Sequence, residues 1–560
     1  MQPTVKSPDP HHIYIDAVQG HQRRWMKVIR FTSSSTKAAA IMLLAAIVAL
    51  IVANSPAYEP FIEFWHTEVV VGIGSFIGEM SFAHIINDIF MAVFFLLVGL
   101  EIKYEMTVGE LTNIRQAALP IIAAFGGVLA PIVIYSIFNA GNPETAHGWG
   151  VPTATDIAFA LGIMSLLGNR VPNGVRVFLS TLAVADDIIA IIVIAVFYGQ
   201  SPSFMWLAVA AAIVVVLALL NRAHVYSLAP YLLIGCVLWF AVFMSGVHST
   251  IAGVLLAFTI PTGSRVNLSR FMQWSDDRVR EASDAYDASE PVVLQKDYMS
   301  TVTRLSKVAK QVVPPATRLE HMLYPWVYFA VLPLFALTNA DVNFIGNDLV
   351  AMVTSPVFYG VFFGLLLGKP IGILLFSFIT VKTKIASLPE NVNWMHMVGA
   401  AILGGVGFTM AIFVANLAFP DDYLISDAKI AILSASLLAG IIGFSFLFVQ
   451  AKAAQRHGIS YMSVSLDDVV QQTANIEAAE EADDLVIGIG DDDLLDDVRD
   501  VLSHEGGHAE FVLHEVEGSE DVEAARAEAA AIGARVVEAE FSEERKRAFK
   551  EENEDVTGTR

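Results

Sequence analysis

The sequence predicts an all-α polytopic membrane protein of about twelve transmembrane helices, with inverted repeats, two broken helices (spans four and eleven) and a small C-terminal α/β domain. Three observations carry this. The 560 residues are 55 % hydrophobic with a mean hydropathy of +0.57 and only 16 % charged, where about 25 % charged is usual for soluble domains. Apolar stretches long enough to cross a bilayer, about 18 residues or more, recur along the chain. Finally, the loops between them alternate in charge.

The apolar runs have approximate limits 38–55, 84–104, 118–139, 148–168, 174–198, 205–221, 227–243, 246–261, 319–340, 356–381, 396–419 and 428–450. Arg23, Arg24, Lys27, Arg30 and Lys37 precede the first. Every second loop thereafter is basic: Arg115, Arg170, Arg222, a cluster from Arg265 to Arg318, Lys382 with Lys384, and finally Lys452 with Arg456. The intervening loops hold almost no Lys or Arg, Lys429 being the exception. The positive-inside rule then predicts that both termini are cytoplasmic. No cleavable signal peptide is expected from the polar, basic N-terminus.

The predicted organisation is a cytoplasmic tail at 1–36, a membrane domain at 37–455 interrupted by a cytoplasmic insert at 264–318, an acidic linker at 456–482, and a soluble domain at 483–560. The net charge of −23 belongs to the end of the chain. Residues 461–560 hold 29 Asp and Glu against 8 Lys and Arg, which leaves the rest at −2. The acidity therefore belongs to a soluble tail and says nothing about a basic or acidic ligand; no nucleic-acid partner is expected. In the tail, "DLVIGIG", "AEFVLHEV" and "ARVVEAEF" read as strands separated by amphipathic helices, a βαβαβ unit with parallel strands. One cysteine, Cys236, rules out an internal disulfide.

The chemistry sits inside the apolar runs. "STLAVADDIIAIIVIAVFYG" places Asp186 and Asp187 halfway along a predicted span, where one carboxylate costs roughly 2.5–3.5 kcal/mol. Adjacent helical residues point about 100° apart, so the two cannot do the same job: one can face a hydrated cavity and the other a partner helix. A desolvated carboxylate accepts a proton or a small hard cation, the elementary part of an exchanger. Two spans are interrupted near their middles, at "WGVPTATDIAFALG" (Gly150, Pro152, Thr153, Thr155, Asp156) and at "AILGGVGFTMAIF" (Gly404, Gly405, Gly407, Thr409). Breaks at membrane depth expose carbonyls and half-helix ends where they line a cavity. Their places at the centres of spans three–five and ten–twelve suit an inverted repeat. Lys369 is the one cation deep in a span and is expected to pair with the aspartates. Asp156 can offset the positive half-helix ends, and Lys369 the negative ones.

A second polar group, Glu101, Lys103, Glu105, Glu320 and His321, lies near the predicted cytoplasmic ends, and is either a pH-responsive cavity mouth or a solvated helix end. Asp88 and His248 sit near the opposite face. "HEGGH" at 504–508 matches a zinc-hydrolase pattern, but Gly506 and Gly507 make a poor helix for it; no catalytic metal, cofactor or enzyme activity is expected. An intramembrane aspartyl protease would need its two Asp on different helices sharing a proton, and a sensor would need the acidic tail as its output.

At these residues the chain resembles the NhaA family of sodium/proton antiporters, through "NDIFMAVFFLLVGLEIKYEM", "PTATDIAFALGIMSLLGNRVP", "LAVADDIIAIIVIAVFY", "SGVHSTIAGV", "LEHMLYPW", "LLLGKPIGI" and "GGVGFTMAIFVANLAF", in order across residues 37–452. The resemblance implies twelve helices with crossed broken helices. It implies electrogenic exchange of one Na+ or Li+ for two H+, serving sodium and pH homeostasis, and a homodimer in the bilayer. By motif it makes Asp187 the main ligand of transported Na+ with Asp186 beside it, places Thr155 and Asp156 at the crossing, and makes Lys369 the charge partner. Glu101, Glu105, Glu320 and His321 fall on the family's pH-sensing cluster. Tyr104 and Tyr324 stand where the best-studied members have Arg and His, so the pH threshold does not carry over. The insert and the acidic tail lie outside the resemblance.

Overall fold

Long uninterrupted apolar sequence leaves the backbone one way to satisfy its polar groups without water, which is to form helices, and helices dominate the structure. A computed structural model describes residues 28–456, except 30, 33, 74–75, 113, 200–201, 288, 345–348 and 390, together with 510–513 and 535–538. The helices are α1 (Ser35–Ala53), α2 (Tyr58–His66), α3 (Phe82–Thr107), α4 (Ile114–Asn139), α5 (Ile157–Ser165), α6 (Asn173–Phe197), α7 (Phe204–Arg222), α8 (Leu228–Met244), α9 (Ile251–Thr259), α10 (Leu268–Ala285), α11 (Lys296–Ala309), α12 (Pro315–Asn339), α13 (Pro356–Lys382), α14 (Trp394–Gly404), α15 (Phe408–Ala418) and α16 (Asp422–Arg456). Among the described residues eight helices are long and apolar enough to cross a membrane, or nine if α14 and α15, bent by 44°, count as one span. Each predicted span contains helix, though not every one over a length that crosses a membrane. Spans seven and eight correspond to the shorter α8 and α9, and span four to a 3-10 segment, His147–Thr153, followed by α5.

The surfaces of these helices are those of a protein in lipid. On α1 a stripe of Ala38, Met42, Ala46, Ala49 and Ala53 is buried, while Leu44, Ile47 and Ile51 are exposed. On α7 Phe204, Met205, Val215 and Leu219 are exposed as well. Apolar area on that scale is unfavourable in water and neutral in lipid. Small residues set the closest packing. α4 and α13 lie side by side, and a Cβ on either Gly126 or Gly372 would run into the other's carbonyl oxygen. Helical π-turns at Ile85–Phe90, Val327–Val331 and Gly364–Gly368 lie within α3, α12 and α13, a feature that often marks functional sites.

The sequence reading assigns no structure between the first two spans. There α2 is followed by an antiparallel hairpin, β1 (Glu68–Ile73) with β2 (Phe76–Ser81), paired from Glu68 opposite Ser81 to Ile73 opposite Phe76. The segment 264–318 contains two helices, α10 and α11, that pack on each other. Gln295 ties their connection by donating to the Asp287 and Glu290 carbonyls at 2.6 and 2.7 Å. The Asp287 carboxylate accepts from the Ser289 hydroxyl and amide, which holds its pKa below the usual carboxylate range.

The chain divides into two units, one of residues 34–453 and the other of 1–33 with 454–560. In the second, β3 (Glu510–Leu513) and β4 (Arg535–Glu538) are parallel. They coincide with two of the predicted tail strands and match their predicted direction. The strand at "DLVIGIG", the tail helices, the acidic linker and "HEGGH" lie outside the described residues.

Candidate functional site

The two interrupted segments meet at their breaks. The Asp156 amide donates to the Val406 carbonyl at 2.8 Å, joining one break to the other through backbone. Each break leaves helix ends with unpaired polar groups, and specific side chains satisfy them. Asp156 is the N-cap of α5, accepting from the Phe159 amide at 2.9 Å. Its other oxygen accepts from the Thr409 amide at 3.1 Å and from the Thr409 hydroxyl at 2.5 Å, at the start of α15. One carboxylate therefore serves two positive helix ends, the role its position suggested. Ser436 Oγ accepts from the Gly407 and Phe408 amides at 3.3 and 3.1 Å.

The opposite ends receive donors. Lys369 Nζ donates to the Thr153 carbonyl, where the 3-10 segment stops. Thr155 Oγ1 lies 3.1 Å from the Gly404 carbonyl, the last of α14. Tyr198 clamps the 3-10 segment, accepting from the Gly150 amide at 2.9 Å and donating to the His147 carbonyl at 2.8 Å.

The adjacent aspartates on α6 point to different partners, as helix geometry requires. Asp186 Oδ2 forms an ion pair with Lys369 at 2.6 Å, both side chains 1 % exposed, and accepts from the Thr155 hydroxyl at 2.5 Å. Asp187 faces a small cavity that also reaches Asp156, Glu101, Tyr328 and Thr409; Phe94, Val98, Leu332 and Met410 supply apolar wall. Asp187 Oδ1 is buried without a hydrogen-bond partner among the described residues. Asp186 Oδ1 is likewise without a partner among the described residues, so what separates the two carboxylates is that Asp186 is neutralised by a cation while Asp187 lines the cavity. Carboxylate and hydroxyl oxygens around a confined space suit a hard cation or protons.

Asp186, Asp187, Lys369, Asp156 and Thr155 thus converge. Glu101 belongs with them: it lines the same cavity, with Tyr328 OH 3.5 Å from its carboxylate. Glu105 and Glu320 are close enough to act electrostatically on Glu101; His321 is exposed. Lys103 departs from this group, because its ammonium donates to the Phe258 carbonyl at 2.8 Å and to the Ile260 carbonyl, capping the end of α9. Asp88 accepts from Ser249 at 3.2 Å, and His248 bonds the Tyr198 carbonyl at 2.6 Å. Tyr324 packs on Tyr328 with centroids 4.3 Å apart and the rings tilted by 42°, and Tyr104 is exposed. Thr409 was named in the sequence as part of the second break but not among the site residues, whereas Tyr328, one aromatic in an apolar run, had no signal.

The family profile described as Na+/H+ antiporter 1 matches residues 29–447. The chain is 44 % identical over 427 residues to a protein of Helicobacter pylori (strain G27) named Na(+)/H(+) antiporter NhaA, covering 76 % of this chain and 95 % of that one. Relatives of the same name from Wolinella succinogenes and Syntrophobacter fumaroxidans are 42 % identical over 429 residues and 44 % over 425, covering 76 % and 75 % of this chain and 93 % and 89 % of theirs.

Proposed function

The chain belongs to the Na+/H+ antiporter 1 family, and from that premise we propose that it is a secondary transporter exchanging Na+ for H+ at the junction of its two broken helices. The observation that carries this is the division of labour between neighbours: Lys369 neutralises Asp186, whereas Asp187 lines the cavity. Asp187 is the main ligand of the transported Na+ or Li+, with Asp156 and Thr409 beside it. A site so difficult to leave charged and empty carries either the cation or protons whenever it crosses between the two sides.

The finer reading is of electrogenic exchange, one Na+ against two H+, by a twelve-span inverted repeat with both termini cytoplasmic. Arrival of the cation at Asp187 weakens the Asp186–Lys369 pair, so that proton release accompanies binding. Thr155 steadies Asp186 while that pair is made. Glu101, Glu105, Glu320 and His321 lie toward the basic-loop side of the cavity and set the pH response. The protein works in a bacterial inner membrane, as a homodimer, for sodium and pH homeostasis.

The test is Na+-induced ΔpH in everted vesicles, scanned from about pH 6 to 9, for wild type and Asp187→Asn. Loss of exchange in a normally inserted variant supports Asp187 as the exchange site. Exchange that persists overturns it.

A further inference from the structure

Three helices supply most of the cavity wall: α3 through Phe94 and Glu101, α12 through Tyr328 and Leu332, α15 through Thr409 and Met410. Each carries an asparagine about two turns, roughly 10 Å, farther from the basic loops: Asn87, Asn339 and Asn416. The three side chains are bonded to one another. Asn339 Nδ2 donates to Asn87 Oδ1 at 2.9 Å, and Asn416 Nδ2 donates to Asn339 Oδ1 at 2.7 Å. Asn339 is 4 % exposed, the others half-buried. Along α12 and α15, Phe335 and Phe413 come between this layer and the cavity and pack with centroids 6.3 Å apart, and Phe95, next to the cavity's Phe94, packs on Phe413 at 5.5 Å; all three rings are buried.

Three amides at one level, one from each of these three helices, are an arrangement that no single helix requires. Buried in apolar surroundings each needs a partner, and each has found it across a helix boundary. Neutral amide bonds exchange for bonds to water at small net cost, unlike the buried Lys369 pair. The layer can therefore part and close again.

We infer that Asn87, Asn339 and Asn416 form the outer latch of the transport path: closed here above the phenylalanine layer, it parts when the site opens away from the basic loops, and its amide oxygens then line the cation's exit. This rests on the antiport reading above.

The experiment uses the full chain with Cys236→Ser, carrying Asn87→Cys and Asn339→Cys, cross-linked by a short reducible bis-methanethiosulfonate. Exchange is read in vesicles, and Na+ binding to the purified protein by calorimetry. With the cross-link verified by mass, exchange should fall about tenfold or more, return on reduction, and leave Na+ binding in place. Undiminished exchange in the cross-linked protein overturns the latch. If the pair is inactive when reduced, Asn416→Cys alone decides: an impermeant thiol reagent added outside should label it about threefold or more faster when external Na+ is supplied, and an unchanged rate overturns the proposal. Failure of the antiport reading is separate, since the Cys236→Ser parent would then show no Na+-dependent exchange.

Discussion

Replacing Lys369 by Met removes the cation from the ion pair and leaves Asp186 buried with the Thr155 hydroxyl. Both partners are 1 % exposed and 2.6 Å apart, so solvent cannot take over from the lost charge. Breaking a buried pair from one side costs about 3–5 kcal/mol. The second variant, Asp186→Asn with Lys369→Met, carries neither charge. What it still lacks is a donor for the Thr153 carbonyl, a loss of about 1–3 kcal/mol. The double variant is therefore expected to be more stable than Lys369→Met by about 2 kcal/mol, the difference between those costs. Denaturant or thermal unfolding in detergent, followed by tryptophan fluorescence, measures the cycle. A Lys369→Met protein as stable as its parent, or a double variant no better than the single, would refute the assignment of Asp186 as the partner that Lys369 neutralises.

Thr409→Val removes the hydroxyl donor to Asp156 while keeping the backbone one; loss of a hydrogen bond to a charged group, about 1.5–3 kcal/mol, should raise the KM for Na+ about tenfold or more in the vesicle assay, and an unchanged KM would mean that backbone alone fixes Asp156. Gly372→Ala should cost about 1–3 kcal/mol, because its Cβ meets the Gly126 carbonyl. Gly199→Ala, whose nearest such neighbour is 3.7 Å away, should match wild type in detergent melting curves; equal curves for both would contradict the close approach of α4 and α13. Lys103→Met uncaps α9 and should lower stability by about 1 kcal/mol with an unchanged pH profile of exchange. A displaced profile would return Lys103 to the titratable cluster.

Much of the site was legible because its signals are violations of an otherwise uniform pattern. Two aspartates and a lysine inside apolar runs, and glycines with a proline at mid-span, stand out without any tertiary information. The basic loops were equally plain, and their one exception has a local cause: Lys429 is paired with Asp341 at 2.8 Å. Glu101 was visible as a residue but was grouped by its height along the helix. Its membership of the Asp187 cavity depends on the rotation of α3 about its axis.

Composition, run length and loop charge thus determined the helical membrane fold, the order of its helices, the two breaks and the carboxylates at mid-span, since each reflects what one segment can tolerate in lipid. Which aspartate meets Lys369, that Asp156 serves both half-helix starts, that Tyr328 and Glu101 join the cavity, and that three asparagines share one level were decided only by the tertiary structure. Those are relations between helices as much as 329 residues apart, Asn87 to Asn416. They are fixed by close packing at small residues such as Gly126 and Gly372, which sets the rotation of each helix against its neighbours and leaves no periodic trace in the chain.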